Sequence, residues 1–375
     1  MLKERFIPIK PWTDTEIAGL RAALLQRYDV AGRSLPWRVR PEDRARGVSA
    51  NPYAVWLSEI MLQQTTVAHA SPYWQRFLSE FPTVTDLANA KRERIMEMWA
   101  GLGYYARARN LYKCAQMVRD SYAGVFPNTE AELLKLPGIG PYTAAAIAAI
   151  CFDEATVVVD GNVERVISRM ARVETPLPKG KADIKNVAAL LADPDRPGDY
   201  SQALMDLGAT ICAPKTPKCG GCVWSALCKA HAAGVETDYP KKLKKTALPK
   251  RFGNVFVLIS SDGHVLLQQR PDAGLLGGML GFPGSEWESV PFEGGAENIS
   301  IDSEWEKISE SVRHIFTHFE LSLEIYCARV PAIKDIQDRA LGYRLVNIQD
   351  VETRALPSVM KKVWRAVQNN YLPHK

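Results

Sequence analysis

The chain has 375 residues, 46% of them hydrophobic and 24% charged, and its 47 Lys and Arg against 42 Asp and Glu leave a formal net charge of +5. That length predicts two domains, and the mild basicity is compatible with a nucleic-acid partner without requiring one. Residues 1–12, broken by Lys3, Glu4 and Arg5, do not read as a secretory leader, and the longest apolar run, 144–152, is too short to span a bilayer. A cytoplasmic protein without a membrane partner is therefore expected.

Thr13 or Asp14 can cap a first helix carrying Leu20, Leu24, Leu25 and Tyr28. Leu35-Pro36-Trp37-Arg38 follows, and then a polar segment to Ala50, with Arg40, Arg44 and Arg46, that reads as a loop. Pro52 opens a helix predicted over 53–70, inside which Glu59 lies among the apolar neighbours Leu57, Ile60 and Met61. Taken alone, Glu59 could equally be an ordinary surface glutamate. Helices are predicted over 73–81, 84–88 and 92–99. A glycine-flanked turn, Gly101-Leu102-Gly103-Tyr104-Tyr105, precedes Arg107, Arg109 and a helix running to Tyr122. Glycines beside aromatic and basic residues suit a loop that approaches a nucleic-acid backbone, though a plain helix connection would look much the same.

Residues 130–135 read as the end of a helix, and Leu136-Pro137-Gly138-Ile139-Gly140-Pro141 as a tight turn into a new one. Such a turn presents backbone N–H groups at a helix N-terminus, a ready phosphate site. Asp160 follows twenty residues after Gly140, with Gly161 and Asn162 behind it. The pair of features is readable as a phosphate grip and a working carboxylate, or as a helical corner with an N-capping Asp. Strand-like alternation is scarce before residue 235, so the first part of the chain is predicted to be all-α.

Seven cysteines is an odd number, and Cys212, Cys219, Cys222 and Cys228 crowd into a C-x6-C-x2-C-x5-C loop. That clustering argues for a metal centre in a reducing compartment, with zinc and a [4Fe–4S] cluster both chemically reasonable. Cys114, Cys151 and Cys327 sit in apolar surroundings and are predicted core residues. The composition changes at Pro240-Lys241-Lys242-Leu243-Lys244-Lys245, which reads as a basic linker ending at Arg251. Beyond it, strands are predicted at 255–259, 264–269, 314–329 and 343–346 and helices at 303–310 and 357–367, an α+β domain.

Hairpin, Asp160 and cysteine loop together resemble the helix-hairpin-helix DNA glycosylases that carry an iron–sulfur cluster, which implies a [4Fe–4S] centre on the four cysteines. In the endonuclease III type a lysine nucleophile stands two residues after the second hairpin glycine, and here that position is Tyr142. Leu57-Ser58-Glu59-Ile60-Met61-Leu62-Gln63-Gln64-Thr65 is similar to the signature of the adenine DNA glycosylases, the MutY family. Leu35 to Arg38, the 101–105 turn and Val159-Asp160-Gly161-Asn162-Val163 agree with it. Leu266-Leu267-Gln268-Gln269-Arg270 and 277–284 resemble the opening of a Nudix fold, but no Arg-Glu…Glu-Glu metal cluster follows. The expected architecture has an all-α helix-hairpin-helix glycosylase domain over 1–236, with the hairpin around 129–152 and the cluster loop at 212–228. A linker over 237–251 and a Nudix-like domain over 252–375 complete it.

The resemblance implies a monofunctional adenine glycosylase, a monomer acting on duplex DNA with adenine opposite 8-oxoguanine or guanine. A bifunctional pyrimidine-damage glycosylase/lyase and a non-catalytic DNA-binding module are the alternatives. It implies Glu59 as the general acid that protonates adenine N7 and Asp160 as the ionised partner of an oxocarbenium-like sugar, with Tyr142 and Asn162 orienting them. Leu35, Trp37, Arg38 and Gln202 would line the adenine pocket, and Gln64 and Tyr104 the space around the base step. Thr65 and Leu102 would lie near 8-oxoguanine, which Phe316-Thr317-His318 of the second domain would contact. Amides at Gly138 and Gly140 would hold a phosphate, and Lys215, Lys218 and Lys229 another stretch of backbone.

Overall fold

The computed structural model describes residues 11–243, 247–271, 274–291, 303–333, 342–352, 354 and 356–372. Residues 1–10, Lys244 and Lys245 of the basic stretch, and most of the Pro/Gly-containing segment after Glu288 lie outside the described residues. Two compact units are present: Met1–Ala90 with Asn110–Lys244, and Lys91–Arg109 with Lys245–Lys375. No helix among the described residues is long and apolar enough to cross a membrane.

The first unit is helical. Its opening helix α1 (Asp14–Ala31) carries the predicted Thr13 cap, closed reciprocally by Glu16 as a capping box. Within the polar segment predicted as a loop, one short helix forms, α2 (Pro41–Ala45), seeded by Pro41 at its first position. The helix predicted over 53–70 is two helices, α3 (Pro52–Leu62) and α4 (Val67–Glu80). Gln64 breaks the run in a left-handed conformation, φ 58°, and Thr66 then caps α4 by accepting from the His69 amide. Periodicity alone does not reveal this break, because apolar residues continue on both sides of it. Next comes α5 (Val84–Asn89); α6 (Arg92–Met98) lies in the segment assigned to the second unit, and α7 (Ala106–Tyr122) continues from that segment into the first. What reads as the end of a helix at 130–135 is the single turn α8 (Glu130–Leu133), capped by Thr129.

Two helices lie deepest. In α9 (Pro141–Phe152), every residue from Thr143 to Ile150 is buried. In α12 (Pro197–Thr210), burial runs without interruption from Pro197 to Gly208. A helix buried all round belongs in the middle of a domain, and small residues let two such helices approach. At Gly198 an added Cβ would stand 2.6 Å from the Ala149 carbonyl oxygen of α9. Between them in sequence come α10 (Gly161–Ala171) and α11 (Lys181–Leu191); the short α13 (Lys229–Ala232) follows the cysteine loop. Trp224 anchors that loop to α1 by donating its indole N–H to the Leu20 carbonyl at 2.9 Å. Cys114 is buried, while Cys151 is only half-buried.

The second unit holds a mixed sheet of β1 (Lys250–Ser260), β2 (His264–Gln269), β3 (Leu280–Gly281), β4 (Glu306–Lys307), β5 (Val312–Ile315), β6 (Glu320–Val330) and β7 (Tyr343–Asn347). The order is β3-β2-β1-β6-β4, with β5 on β6 and β7 on β2. Strands β1 and β6 pair in parallel from Lys250 opposite Glu320 to Ser260 opposite Val330. Val255, Val257 and Ile259 alternate with Leu258, so both faces are apolar and both are covered. Helix α14 (Ser358–Asn370) packs Val359, Met360, Val363, Trp364 and Val367 on one face, with Cys327 beneath it. The helix predicted at 303–310 is not formed: Glu306 and Lys307 pair with Tyr326 and Cys327 as strand β4. The single run predicted at 314–329 is divided into β5 and β6 by a tight turn at 316–319, closed by the Phe316 amide on the Phe319 carbonyl at 2.8 Å.

Candidate active site

Glu59 is where burial and charge conflict. Its side chain sits on α3 between the fully buried Leu57 and the buried Ile60 and Met61, and Glu59 itself is only 7% exposed. Burial raises the carboxyl above its ordinary range; a hydrogen bond from Tyr142 and the Arg38 charge pull it back, while Asp160 pushes it further up. The Tyr142 hydroxyl donates to Glu59 Oε2 at 2.7 Å. Burial, then the charges of Glu59 and Asp160, push the Tyr142 phenol well above its usual value, so it stays a donor.

Asp160 is held quite differently. It caps α10, accepting the Val163 amide on Oδ1 at 2.7 Å and the Asn162 side-chain N–H on Oδ2 at 2.8 Å. The two sequence readings of this residue are compatible, because the cap itself is what aims the carboxylate. Asn162 accepts from Arg165 Nη2 at 3.0 Å, and Arg165 Nε donates to the Cys212 carbonyl at 2.7 Å. An unbroken chain of hydrogen bonds therefore joins Asp160 to the cysteine loop. Gly208 of α12 backs it, since an added Cβ there would stand 2.6 Å from Asn162 Cβ. For the base excision that the sequence resemblance implies, Gly208→Ala is expected to tilt Asn162 and lower the rate about tenfold, about 1.4 kcal/mol on the barrier, with duplex affinity unchanged; single-turnover excision and a binding titration check this.

The remaining candidates divide between the units. Leu35 is half-buried, Trp37 is buried edge-to-face on Trp74 with ring centroids 5.6 Å apart, and Arg38 is tied to Asp206 on α12 at 2.9 Å. Gln202, one turn earlier on α12, is buried and donates to the Gly198 carbonyl at 3.2 Å. Gln64 is exposed and left-handed at the break after α3, with Thr65 beside it. A non-glycine residue in that conformation stores strain of about 1–3 kcal/mol, of the kind found at working sites. At the hairpin, Gly138 has φ 77° and an added Cβ would meet Asn110 Cβ at 2.6 Å. The amides of Gly138 and Gly140 find no acceptor among the described residues.

Leu102 and Tyr104 belong to the second unit. There Arg107 donates to the Leu102 carbonyl at 2.9 Å, and its guanidinium lies 5.6 Å from the Tyr104 ring, which is 54% exposed. Phe316 stacks on Trp287 at 5.7 Å, and Thr317 and His318 are exposed at the turn beyond it. Sequence reading missed Arg33, Asp206, Arg165 and Arg169. The signal for Asp206 was a carboxylate one turn after Gln202 between the apolar Met205 and Leu207.

Cys212, Cys219, Cys222 and Cys228 are all free and line one cavity with Val166, Met170 and Leu207. Arg169 is 2% exposed there. It donates to the Ala213 and Pro214 carbonyls at 2.8 Å each and to Cys212 Sγ at 3.3 Å, with no carboxylate partner among the described residues. A buried cation so placed calls for an anionic neighbour, as a thiolate-held metal centre is.

Comparisons with known proteins identify the family. Residues 57–188 match the HhH-GPD superfamily of base excision DNA repair proteins, and residues 254–366 match the NUDIX domain. The human adenine DNA glycosylase is 34% identical over 94% of this chain and 74% of its own length. That of Buchnera aphidicola from Schizaphis graminum is 33% identical over 91% of this chain and 96% of its own. Among solved structures, a thermostable thymine-DNA glycosylase superposes with a TM-score of 0.52 at 28% identity, over 58% of this chain and 98% of that one. The chain belongs to the adenine DNA glycosylase family.

Proposed function

We propose that this protein is a monofunctional glycosylase that hydrolyses the N-glycosidic bond of adenine opposite 8-oxoguanine or guanine in duplex DNA. The observation that carries the reading is the buried Glu59 carboxyl under the Tyr142 hydroxyl at 2.7 Å, with Asp160 held apart in a hydrogen-bonded cap. Two carboxyl groups in such different surroundings suit an acid and a charge stabiliser. Adenine is a poor leaving group until protonated, and it must leave the stack before a side chain can reach it. Protonated Glu59 gives its proton to N7 as the C1′–N9 bond breaks. The bonding electrons stay with the base, and Asp160 faces the cation left on the sugar. Glu59, now ionised, takes a proton from the water that adds to C1′. Tyr142 stands where a lyase carries its lysine, so no Schiff base forms at that position.

The Gly138 and Gly140 amides would anchor a phosphate without reading sequence. Lys215, Lys218 and Lys229 of the cysteine loop would add contacts to the backbone. In the second unit, Phe316 with Thr317 and His318 would read 8-oxoguanine. Phe316→Ala is expected to lose most of the preference for adenine opposite 8-oxoguanine over adenine opposite guanine, about tenfold for a lost aromatic contact of about 1–3 kcal/mol. Competition between the two duplexes measures it. With no Arg-Glu…Glu-Glu cluster in its sequence, this domain suits a reader better than a diphosphatase.

The four cysteines would hold a [4Fe–4S] cluster, which fits Arg169 and the cavity. Iron and acid-labile sulfide content of the purified protein test this independently of activity. The cluster would fold the loop and, through Cys212, brace Arg165. The function as a whole is tested by base release from duplexes with A opposite 8-oxoguanine, A opposite G and T opposite 8-oxoguanine. Adenine release from the first two, and no borohydride-trapped adduct, is the expected result. Thymine release or efficient trapping sinks the reading.

A further inference from the structure

On α12, Asp206 gathers two arginines from one loop. Oδ2 accepts the Arg33 backbone amide at 2.8 Å, Oδ1 accepts Arg33 Nε at 2.6 Å, and Arg38 Nη1 donates to Oδ2 at 2.9 Å. The side chains of Asp206 and Arg38 are 10% and 6% exposed, while Arg33 is 30% exposed. Both ends of the segment bearing Leu35 and Trp37 are thus pinned to one carboxylate, and the Arg38 amide closes the turn on the Leu35 carbonyl at 2.9 Å. We infer that Asp206 is a positioning residue for base excision, holding the 33–38 loop and neutralising Arg38 so that Glu59 stays an acid. This rests on the proposed function.

The physical case is a balance of charges. Glu59 faces Tyr142 and Cys151 from α9, Asp160 from the cap of α10 and Arg38 from the loop. Asp206 faces Arg33, Arg38 and, more distantly, the Tyr28 phenol. An acid catalyst must carry its proton, and a bare buried guanidinium nearby favours the ionised carboxylate. Asp206 offsets that guanidinium while leaving its N–H groups oriented. A buried ion pair is a costly way to hold a loop, because both partners are desolvated and an apolar pair would pack as well. The ion pair is explained when the charge itself is used, here to give a positioned donor at the pocket whose field on Glu59 is reduced.

The test is the pH profile of single-turnover adenine release by the full-length protein. Release requires protonated Glu59, so the rate falls on the alkaline side as pH passes the Glu59 pKa. Asp206→Asn is expected to move that limb about one unit down in pH, Asp206→Glu to restore it, and Asp206→Asn placed on Arg38→Gln to leave it where Arg38→Gln puts it. Should Asn at 206 prevent folding, Arg33→Gln at the more exposed partner carries the test. It leaves the Asp206 charge to Arg38 alone and moves the limb to higher pH. A uniform loss of rate with the limb unmoved, in whichever of the two variants folds, means a structural role and overturns the inference. Absence of adenine release by the parent protein fails the functional reading instead, so the two failures are distinct.

Discussion

Glu59→Gln is expected to stop adenine excision, lowering the single-turnover rate at least about a thousandfold, while duplex affinity stays within a few-fold. The substitution is nearly isosteric, and its amide oxygen can still accept the Tyr142 hydroxyl that now lies 2.7 Å from Oε2. What it removes is the proton that N7 must receive. Because Glu59 is buried on α3 among Leu57, Ile60 and Met61, the neutral amide fits that environment without the cost of desolvating a charge. The melting temperature is therefore expected to hold or rise, which separates lost chemistry from lost fold. The same burial fixes the sign of the pH dependence: it raises the Glu59 pKa, so the protonated, active form persists to higher pH than for an ordinary glutamate and is lost as pH climbs through that value. Activity of the variant near that of the parent would remove Glu59 from the acid role.

Much of this was legible in the residues, and the exceptions have physical causes. Helices α1 and α5 follow from periodicity and cap chemistry, and α6 and α14 from periodicity, all of them local signals. The break after Leu62 does not, because it depends on Gln64 taking a left-handed conformation that glutamine does not ordinarily favour. In residues 303–310 the apolar Trp305 and Ile308 stand three apart, as on one face of a helix, and pairing with β6 overrides that local spacing. The catalytic candidates were legible through motifs of local spacing. Asp206, Arg33 and Arg165 were not, since their meaning lies in contacts between elements far apart in the chain: Asp206 meets Arg33 across 173 positions. A buried carboxylate is silent in sequence until its partner is known.

The second large effect is expected at Asp160, and it separates charge from geometry. Asp160→Asn should slow excision about a hundred- to a thousandfold, the loss of roughly 3–4 kcal/mol from a fixed charge facing a developing cation. The cap survives, because the remaining oxygen still accepts the Val163 amide that Oδ1 now holds at 2.7 Å. The other arm does not survive unchanged. Asn162 donates to Oδ2 at 2.8 Å, and a new amide nitrogen there would set donor against donor. Turning the Asn162 amide over relieves the conflict only by aiming its nitrogen at Arg165, which now donates to Asn162 Oδ1 at 3.0 Å. The variant is thus expected to lose the charge and loosen the link toward Cys212, with a melting temperature close to that of the parent because the cap and the helix behind it remain. Thermal unfolding and duplex binding measured beside the single-turnover rate distinguish the cases. A loss of rate in step with a loss of fold would make Asp160 a helix cap only, and a rate within a few-fold of the parent would leave the sugar cation to be stabilised by some other group.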